Sequence, residues 1–183
     1  MSVSVVILCE DELHAFFARF FLRCKNWHSK NLRVEKGPSG KGSGEQFVCE
    51  NLPGELKKLR QFPDEARALI VVTDADNHSV EERTALLKAQ CVKQNVEPWN
   101  DDEPVFLLIP RWEIQNWLAY LAGKSAGEEN LAGYGQGRSA NDWRAEVKKL
   151  ARMCEDGKLG GKPPESLNLA CGEYRRFRKL VRQ

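Results

Sequence analysis

The sequence predicts a single α/β domain with a mainly parallel sheet flanked by helices. Three short, strongly apolar segments alternate with longer segments in which apolar residues recur at helical spacing. This alternation is typical of a parallel sheet with helical crossovers. The length of 183 residues suits one domain. With 42% hydrophobic and 30% charged residues, the composition excludes a mostly disordered chain.

The first half of the chain is predicted to alternate strand and helix. Ser4–Cys9 is a β-branched run typical of a buried strand, and residues 11–23 have the apolar spacing of a helix. Leu32–Lys36 is a weaker strand. Residues 37–45, with the sequence GPSGKGSGE, are a loop by composition. Because Ser43 stands where a P-loop has lysine, a P-loop is excluded.

Two further strands and two helices follow. Residues 52–61 are a short helix and residues 68–73 are the second strongly apolar strand. Ser79-x-x-Glu82 is a capping box that opens a helix ending near Lys93. Residues 105–109 are the third strongly apolar strand.

The last third of the chain is predicted to be helical and rich in loops. The expected helices are residues 112–122, 141–154 and 166–181. Residues 123–140 contain five glycines and are expected to form a mobile loop, either a lid, a docking loop or a plain connection. We expect one domain over residues 1–183, with its core at about residues 1–122 and a helical extension at about residues 141–183.

The basic residues are concentrated near the end of the chain. The net charge is only +2, but residues 144–183 carry 11 basic and 5 acidic side chains. Four candidates for contacts with nucleic-acid phosphates lie there: Arg175, Arg176, Arg178 and Lys179. A solvated helix whose basic residues suit the helix dipole is an open alternative.

The six cysteines include no C-x-x-C pair and are expected to be reduced thiols.

Localisation can be anticipated from the apolar runs. None approaches the roughly 20 residues that a membrane span needs. No basic segment precedes the first apolar run, so an ordinary secretory signal is not predicted. We therefore expect a cytoplasmic protein without a membrane partner.

Acidic residues follow each of the three strong strands. Glu10 ends the first, Asp74 and Asp76 end the second, and Glu113 lies four residues beyond the third. Ligands of open α/β sheets bind beyond the carboxyl ends of the strands. Carboxylates gathered there repel one another, and a hard divalent cation such as Mg²⁺ relieves the repulsion. Each acid alone has a structural interpretation as a helix cap or turn residue.

Four segments resemble a known family. The segments C-E-D-E-L-H-A-F-F and V-V-T-D-A-D resemble the Toprim domain, which occurs in topoisomerases, primases and nucleases of the overcoming-lysogenization-defect type. The segment V-F-L-L-I-P-R-W-E-I-Q-N-W-L-A-Y and the tail P-E-S-L-N-L-A-C-G-E resemble small Toprim-like bacterial proteins of unknown function.

The resemblance implies a Toprim-like fold and a metal-dependent nuclease activity. Glu10 then corresponds to the family's general acid/base or metal ligand. Asp74 and Asp76 correspond to the ligands of Mg²⁺ or Mn²⁺, and Glu113 supports them. It also implies nucleic acid as substrate and an ATPase partner protein in defence against phage or plasmids. Lys41, in the glycine-rich loop, is a further candidate for a phosphate contact.

Two departures from the family pattern leave alternatives open. Asp11 stands where the family has glycine, and His14 stands where related nucleases have a second acid. These departures favour a non-catalytic Toprim-like module that binds a partner protein or nucleic acid. A receiver-like regulator is the third interpretation, although Arg111 stands where a receiver domain has lysine.

Overall fold

The computed structural model describes residues 3–38, 44–62, 66–124 and 139–181. The strands within these ranges are β1 (Ser4–Cys9), β2 (Leu32–Lys36), β3 (Arg67–Val72) and β4 (Val105–Leu108). The α-helices are α1 (Glu12–Cys24), α2 (Gly44–Gln61), α3 (Val80–Lys93), α4 (Ile114–Leu121), α5 (Arg144–Asp156) and α6 (Glu165–Val181). Short 3₁₀ turns lie at Ser29–Asn31 and Ala140–Trp143.

The four strands form one sheet in the order β2-β1-β3-β4, and all three pairings are parallel. The prediction of an α/β fold with a parallel sheet and additional C-terminal helices is therefore confirmed. Because all four strands point the same way, their carboxyl ends lie at one edge of the sheet. That edge carries the segments that follow β1, β3 and β4.

Helices cover both faces of the sheet. Alternate residues of β1, β3 and β4 pack on one face against α2 and α3, with Leu52 and Leu87 among the buried side chains. The other face packs against α1, α4, α5 and α6. Aromatic rings close this second core, since Phe106 of β4 contacts both Tyr174 and Phe177 of α6. The C-terminal helices are thus part of the main core.

Some element boundaries differ from the prediction. α2 begins at Gly44 rather than near residue 52, because Val48, Leu52 and Leu56 form a buried stripe at spacings of four residues despite Pro53 within the helix. The helix predicted to begin at Asn141, with that residue as its cap, instead begins as a 3₁₀ turn capped by Ser139, and α5 follows from Arg144. Most of the predicted glycine-rich loop at residues 123–140 lies outside the described residues.

The cysteines differ from the expectation of six reduced thiols. Cys154 of α5 and Cys171 of α6 are joined by a disulfide with a Cα–Cα distance of 4.9 Å. The expectation is wrong for this pair, because helix packing brings together two cysteines that are 17 residues apart in the sequence. Cys9 and Cys91 are buried free thiols, and burial raises their pKa values to about 12 and about 11.

None of the helices in the described ranges is both long enough and apolar enough to span a membrane.

Candidate functional site

Glu10 and Asp74 meet at the carboxyl ends of β1 and β3. The register pairs Cys9 with Val72, so Glu10 and Thr73 are the next residues on two adjacent strands. The Thr73 hydroxyl and the Asp74 backbone N–H, at 2.9 Å, both donate hydrogen bonds to Glu10 Oε1. Because these bonds hold one oxygen of Glu10, the direction of its carboxyl group is set by the neighbouring strand.

The backbone of Glu10 is approached closely by two glycines. A Cβ atom on Gly37 would lie 2.7 Å from the Glu10 carbonyl oxygen, and one on Gly44 would lie 2.6 Å from the Glu10 Cβ. Any larger residue at Gly44 would collide with Glu10, so glycine is required there for packing. Both ends of the glycine-rich segment predicted as a loop therefore lie against the candidate site.

His14 contributes a buried cation to this site. Its side chain is 1% exposed, and its Nε2 lies 3.1 Å from Asp74 Oδ1. His14 lies in the first turn of α1, and Asp11 caps the helix by accepting a hydrogen bond from the His14 backbone N–H. Burial opposes protonation of His14, but the charge and hydrogen bond of Asp74 outweigh it and raise its pKa to about 9.

A second buried cation holds Asp76. The side chain of Arg83 is 1% exposed, and its Nη2 lies 3.1 Å from Asp76 Oδ2. Its Nη1 donates a hydrogen bond to Glu45, in the first turn of α2. Asp76 itself has a φ angle of +50°, in the left-handed region that non-glycine residues rarely occupy. Arg83 therefore ties the turn after β3 to the start of α2.

An isolated bridge brings Glu113 to the same edge of the sheet. Asp76 pairs in an antiparallel bridge with Trp112, which also has a positive φ angle, +63°. Glu113 follows directly and is the N-cap residue of α4, but its side chain makes no capping hydrogen bond. Glu113 therefore does not cap α4 through its side chain, although its position at the N-terminus of the helix suits the interpretation as an acid favoured by the helix dipole.

The carboxylates of the site raise one another's pKa values. The pKa of Glu10 is raised by burial and by the charge of Asp74, although the Thr73 hydrogen bond and His14 oppose this. Burial raises the pKa of Asp74 despite the opposing charge and hydrogen bond of His14, and the charges of Asp11 and Asp76 raise it slightly further. Burial and the charges of Asp74 and Asp76 raise the pKa of Glu113. These directions describe an acidic cluster that is stabilised when a proton or another cation binds.

The donor set suits a hard cation, but it is not arranged as the sequence suggested. No three His, Cys, Asp or Glu side chains among the described residues form a group that could hold an ion. The expected cluster of Glu10, Asp74 and Asp76 is absent there, because Asp76 is turned toward Arg83. Glu10 and Asp74 each use one oxygen in the contacts above. Mg²⁺ often takes only one or two carboxylates plus water, so the chemistry of these two side chains is of the kind that such an ion binds.

The basic residues of the tail lie on α6 and have different environments. Arg176 pairs with Glu173 and donates to the backbone oxygens of Asp101, Glu103 and Val105. Arg178 pairs with Glu155 at 2.8 Å.

Arg175 and Lys179 are exposed. The contacts of Arg176 and Arg178 favour structural roles for those two, and the exposed pair remains available for phosphates. Lys41, the other proposed phosphate contact, lies outside the described residues.

Sequence reasoning missed two residues of the site, Thr73 and Arg83. Thr73 is the last residue of the predicted strand, and its hydroxyl group directly before the Asp-x-Asp motif is the feature by which the sequence could have identified it. Arg83 falls among the buried positions of α3, in register with Leu87 four residues later. An arginine on the apolar face of a helix indicates a buried ion pair, because a lone charge there is costly.

Comparisons with known proteins identify no relative: no family model matches the chain, and no curated protein or solved structure is significantly similar to it.

Proposed function

We propose that the chain is a Toprim-type nuclease that hydrolyses phosphodiester bonds with Mg²⁺ or Mn²⁺. The observation that carries the proposal is the hydrogen bond from the Asp74 backbone N–H to the Glu10 carboxylate, which places the two acids side by side at the carboxyl ends of adjacent parallel strands. In open α/β sheets this edge is where ligands bind. The Toprim pattern of a glutamate after one strand and Asp-x-Asp after another agrees with this contact.

Each residue of the site has a defined role under this proposal. Glu10 and Asp74 would hold the ion, which when bound supplies positive charge opposite the developing charge of the phosphate. Glu113 is half-buried, and burial together with the charges of Asp74 and Asp76 raises its pKa, which is the direction that suits a general acid or base. His14 orients Asp74, and Arg83 orients Asp76.

The substrate, partner and location belong to the same proposal. Nucleic acid as substrate, an ATPase partner and a role in defence against phage or plasmids rest on the family resemblance alone. A cytoplasmic location accords with these roles. Exposed Arg175 and Lys179 are the residues we assign to phosphate contacts.

The test is cleavage by the purified chain with and without metal. Supercoiled DNA, single-stranded DNA and RNA are each incubated with Mg²⁺ or Mn²⁺, and EDTA is added to parallel samples. We expect metal-dependent cleavage that Glu10→Gln and Glu113→Gln reduce by about 10²-fold or more, since each removes a group that acts in the reaction. The control is Glu97→Gln, an exposed carboxylate remote from the site.

Two results would contradict the nuclease proposal. One is cleavage that Glu10→Gln leaves unchanged, which would point to a contaminating enzyme. The other is the absence of cleavage of all three substrates with both metals.

A non-catalytic module is the second candidate, and one observation favours it. Buried His14 and Arg83 already neutralise Asp74 and Asp76, so these acids do not need a metal for charge balance. A Mn²⁺ titration followed by electron paramagnetic resonance distinguishes the two candidates. Binding that Glu10→Gln abolishes supports the nuclease, whereas nucleic-acid binding without any Mn²⁺ binding supports the module.

A further inference from the structure

The outer edge of the sheet at β4 carries backbone groups that have no partner among the described residues. The Leu69 and Thr73 backbone N–H groups of the β3 segment donate to the carbonyls of Pro104 and Leu108. In a parallel ladder the backbone of every second residue faces the same neighbour, so Val105, Leu107 and Ile109 present their N–H and C=O groups outward. No hydrogen bond joins the outward groups of Leu107 or Ile109 to another residue in the described ranges.

Part of this edge is already covered. Arg176 of α6 donates to the Val105 carbonyl at 2.5 Å, and the Val105 N–H donates to the Glu103 carbonyl. Pro104 and Pro110 flank the strand on its two sides. Natural proteins protect sheet edges by such means, since an open edge pairs with another chain. These contacts do not reach the outward backbone groups of Leu107 and Ile109, which are 8% and 2% exposed as whole residues and which line a groove beside the strand.

An apolar groove lies over this stretch. It has a volume of about 610 Å³, and Leu107 and Ile109 line it. α3 contributes Thr84 and Ala85, and α6 contributes Leu169, which is 40% exposed. We call this feature the edge groove. Because the side chains of the α3 and α6 walls are mostly small or apolar, the edge groove has room for an additional strand with side chains on both sides of its backbone.

The charges around the edge groove indicate what can enter it. Asp101 and Glu81 line the groove, and Asp102 follows Asp101 in the chain. None of these three exposed carboxylates forms an ion pair with another described residue. The groove-lining cations are Lys88, which lies over the Trp99 ring, and Arg176, which pairs with Glu173. A bound segment with basic ends is therefore complementary in charge to the edge groove, whereas a second copy of this chain would bring further carboxylates to the same edge.

We propose that the edge groove binds an extended, apolar segment of a partner protein with basic residues at its ends. The segment adds beside β4 as a fifth strand, and its backbone pairs with the outward groups of Leu107 and Ile109. Its apolar side chains contact Leu169 and the α3 wall. This inference is independent of the nuclease proposal, because the edge groove involves none of the proposed catalytic carboxylates.

The probe is the peptide acetyl-Lys-Val-Thr-Val-Thr-Val-Lys-amide, which is blocked at both ends. Its binding is followed by NMR, through the shifts and hydrogen exchange of the Leu107 and Ile109 amides. We expect saturable binding that slows exchange at both amides. A peptide with proline at the central valine should bind about tenfold more weakly, since it cannot form one of the backbone hydrogen bonds. A peptide with glutamate at both ends should also bind more weakly.

Matched variants test the site. Leu169→Arg places a charged side chain in the edge groove and should abolish binding. Val92→Arg replaces an exposed apolar residue of α3 that does not line the groove and should leave binding unchanged. Thermal unfolding monitored by circular dichroism checks that both variants are folded.

Four outcomes would overturn the proposal. They are no binding up to the solubility limit of the peptide, equal binding by Leu169→Arg, and equal binding of the proline peptide. The fourth is a wild-type dimer in which the two amides are already protected and which Leu169→Arg dissociates, because a second copy would then occupy the groove.

Discussion

Asp74 Oδ1 lies 3.1 Å from Nε2 of His14, a histidine that is 1% exposed. A carboxylate that the sequence places at a strand end is therefore also the counterion of a buried imidazolium. Because Asp74 serves both the site and the fold, its removal has consequences for stability as well as for activity. The histidine partner is the cleaner position for testing this pair.

His14→Gln should remove a pH dependence of stability. The pKa of His14 is raised from 6.5 to about 9, so the folded state binds this proton more tightly than the unfolded state. The stabilisation is fully present below pH 6.5 and is lost as the pH rises to about 9. Urea unfolding of wild type and variant across this range measures the difference. The exposed His78 provides the control, His78→Gln, which should keep the wild-type slope.

Breaking the ion pairs of Arg83 should cost more unfolding free energy when the two carboxylates are removed than when the arginine is removed. Glu45→Gln with Asp76→Asn leaves a buried guanidinium without a counterion and should cost about 3 kcal/mol of unfolding free energy. Arg83→Met leaves only two partly exposed carboxylates, which water can solvate, and should cost less. Adding Arg83→Met to the double variant should restore stability. Denaturant unfolding of the four proteins decides this, and a triple variant less stable than the double would refute it.

The tail residues should separate into two classes. Arg175→Gln with Lys179→Gln should leave stability unchanged and should lower the salt slope of nucleic-acid affinity by about one unit for each phosphate that is no longer neutralised. Arg176→Gln should instead destabilise the chain, because it removes hydrogen bonds to three backbone oxygens. Fluorescence anisotropy over a range of salt concentrations measures the slopes. Identical slopes in wild type and the Arg175/Lys179 variant would exclude α6 from phosphate binding.

The disulfide should stabilise the pairing of α5 and α6. Closing a loop of 17 residues contributes about 3 kcal/mol in the chain-entropy model, so dithiothreitol should lower the midpoint of thermal unfolding. Cys171→Ser should show the lower midpoint without reductant, and Cys24→Ser, at a half-buried free thiol, should not. Mass spectrometry after thiol alkylation of rapidly quenched cells reports whether the bond forms there. An unchanged midpoint in Cys171→Ser would contradict a stabilising role.

Much of the fold was predictable because it depends on local pattern. The β-branched strand at Ser4–Cys9, the weaker strand at Leu32–Lys36 and the capping box before α3 occur where the sequence predicts them. The start of α2 was not predicted, because composition marks residues 37–45 as a loop. The stripe from Val48 to Leu56 outweighs that signal once the sheet is there to cover it.

The order of residues along the chain shows which carboxylates follow the strands, and the alternation of strands and helices predicts that the strand ends share one edge of the sheet. Which of these acids meet depends on the tertiary structure. The register between β1 and β3 joins Glu10 to Thr73 and Asp74, whereas buried Arg83 turns Asp76 aside. The Glu10 partners are more than 60 residues away in the chain. These contacts depend on long-range packing, which brings together polar and charged groups that are far apart in the sequence and that no local pattern connects.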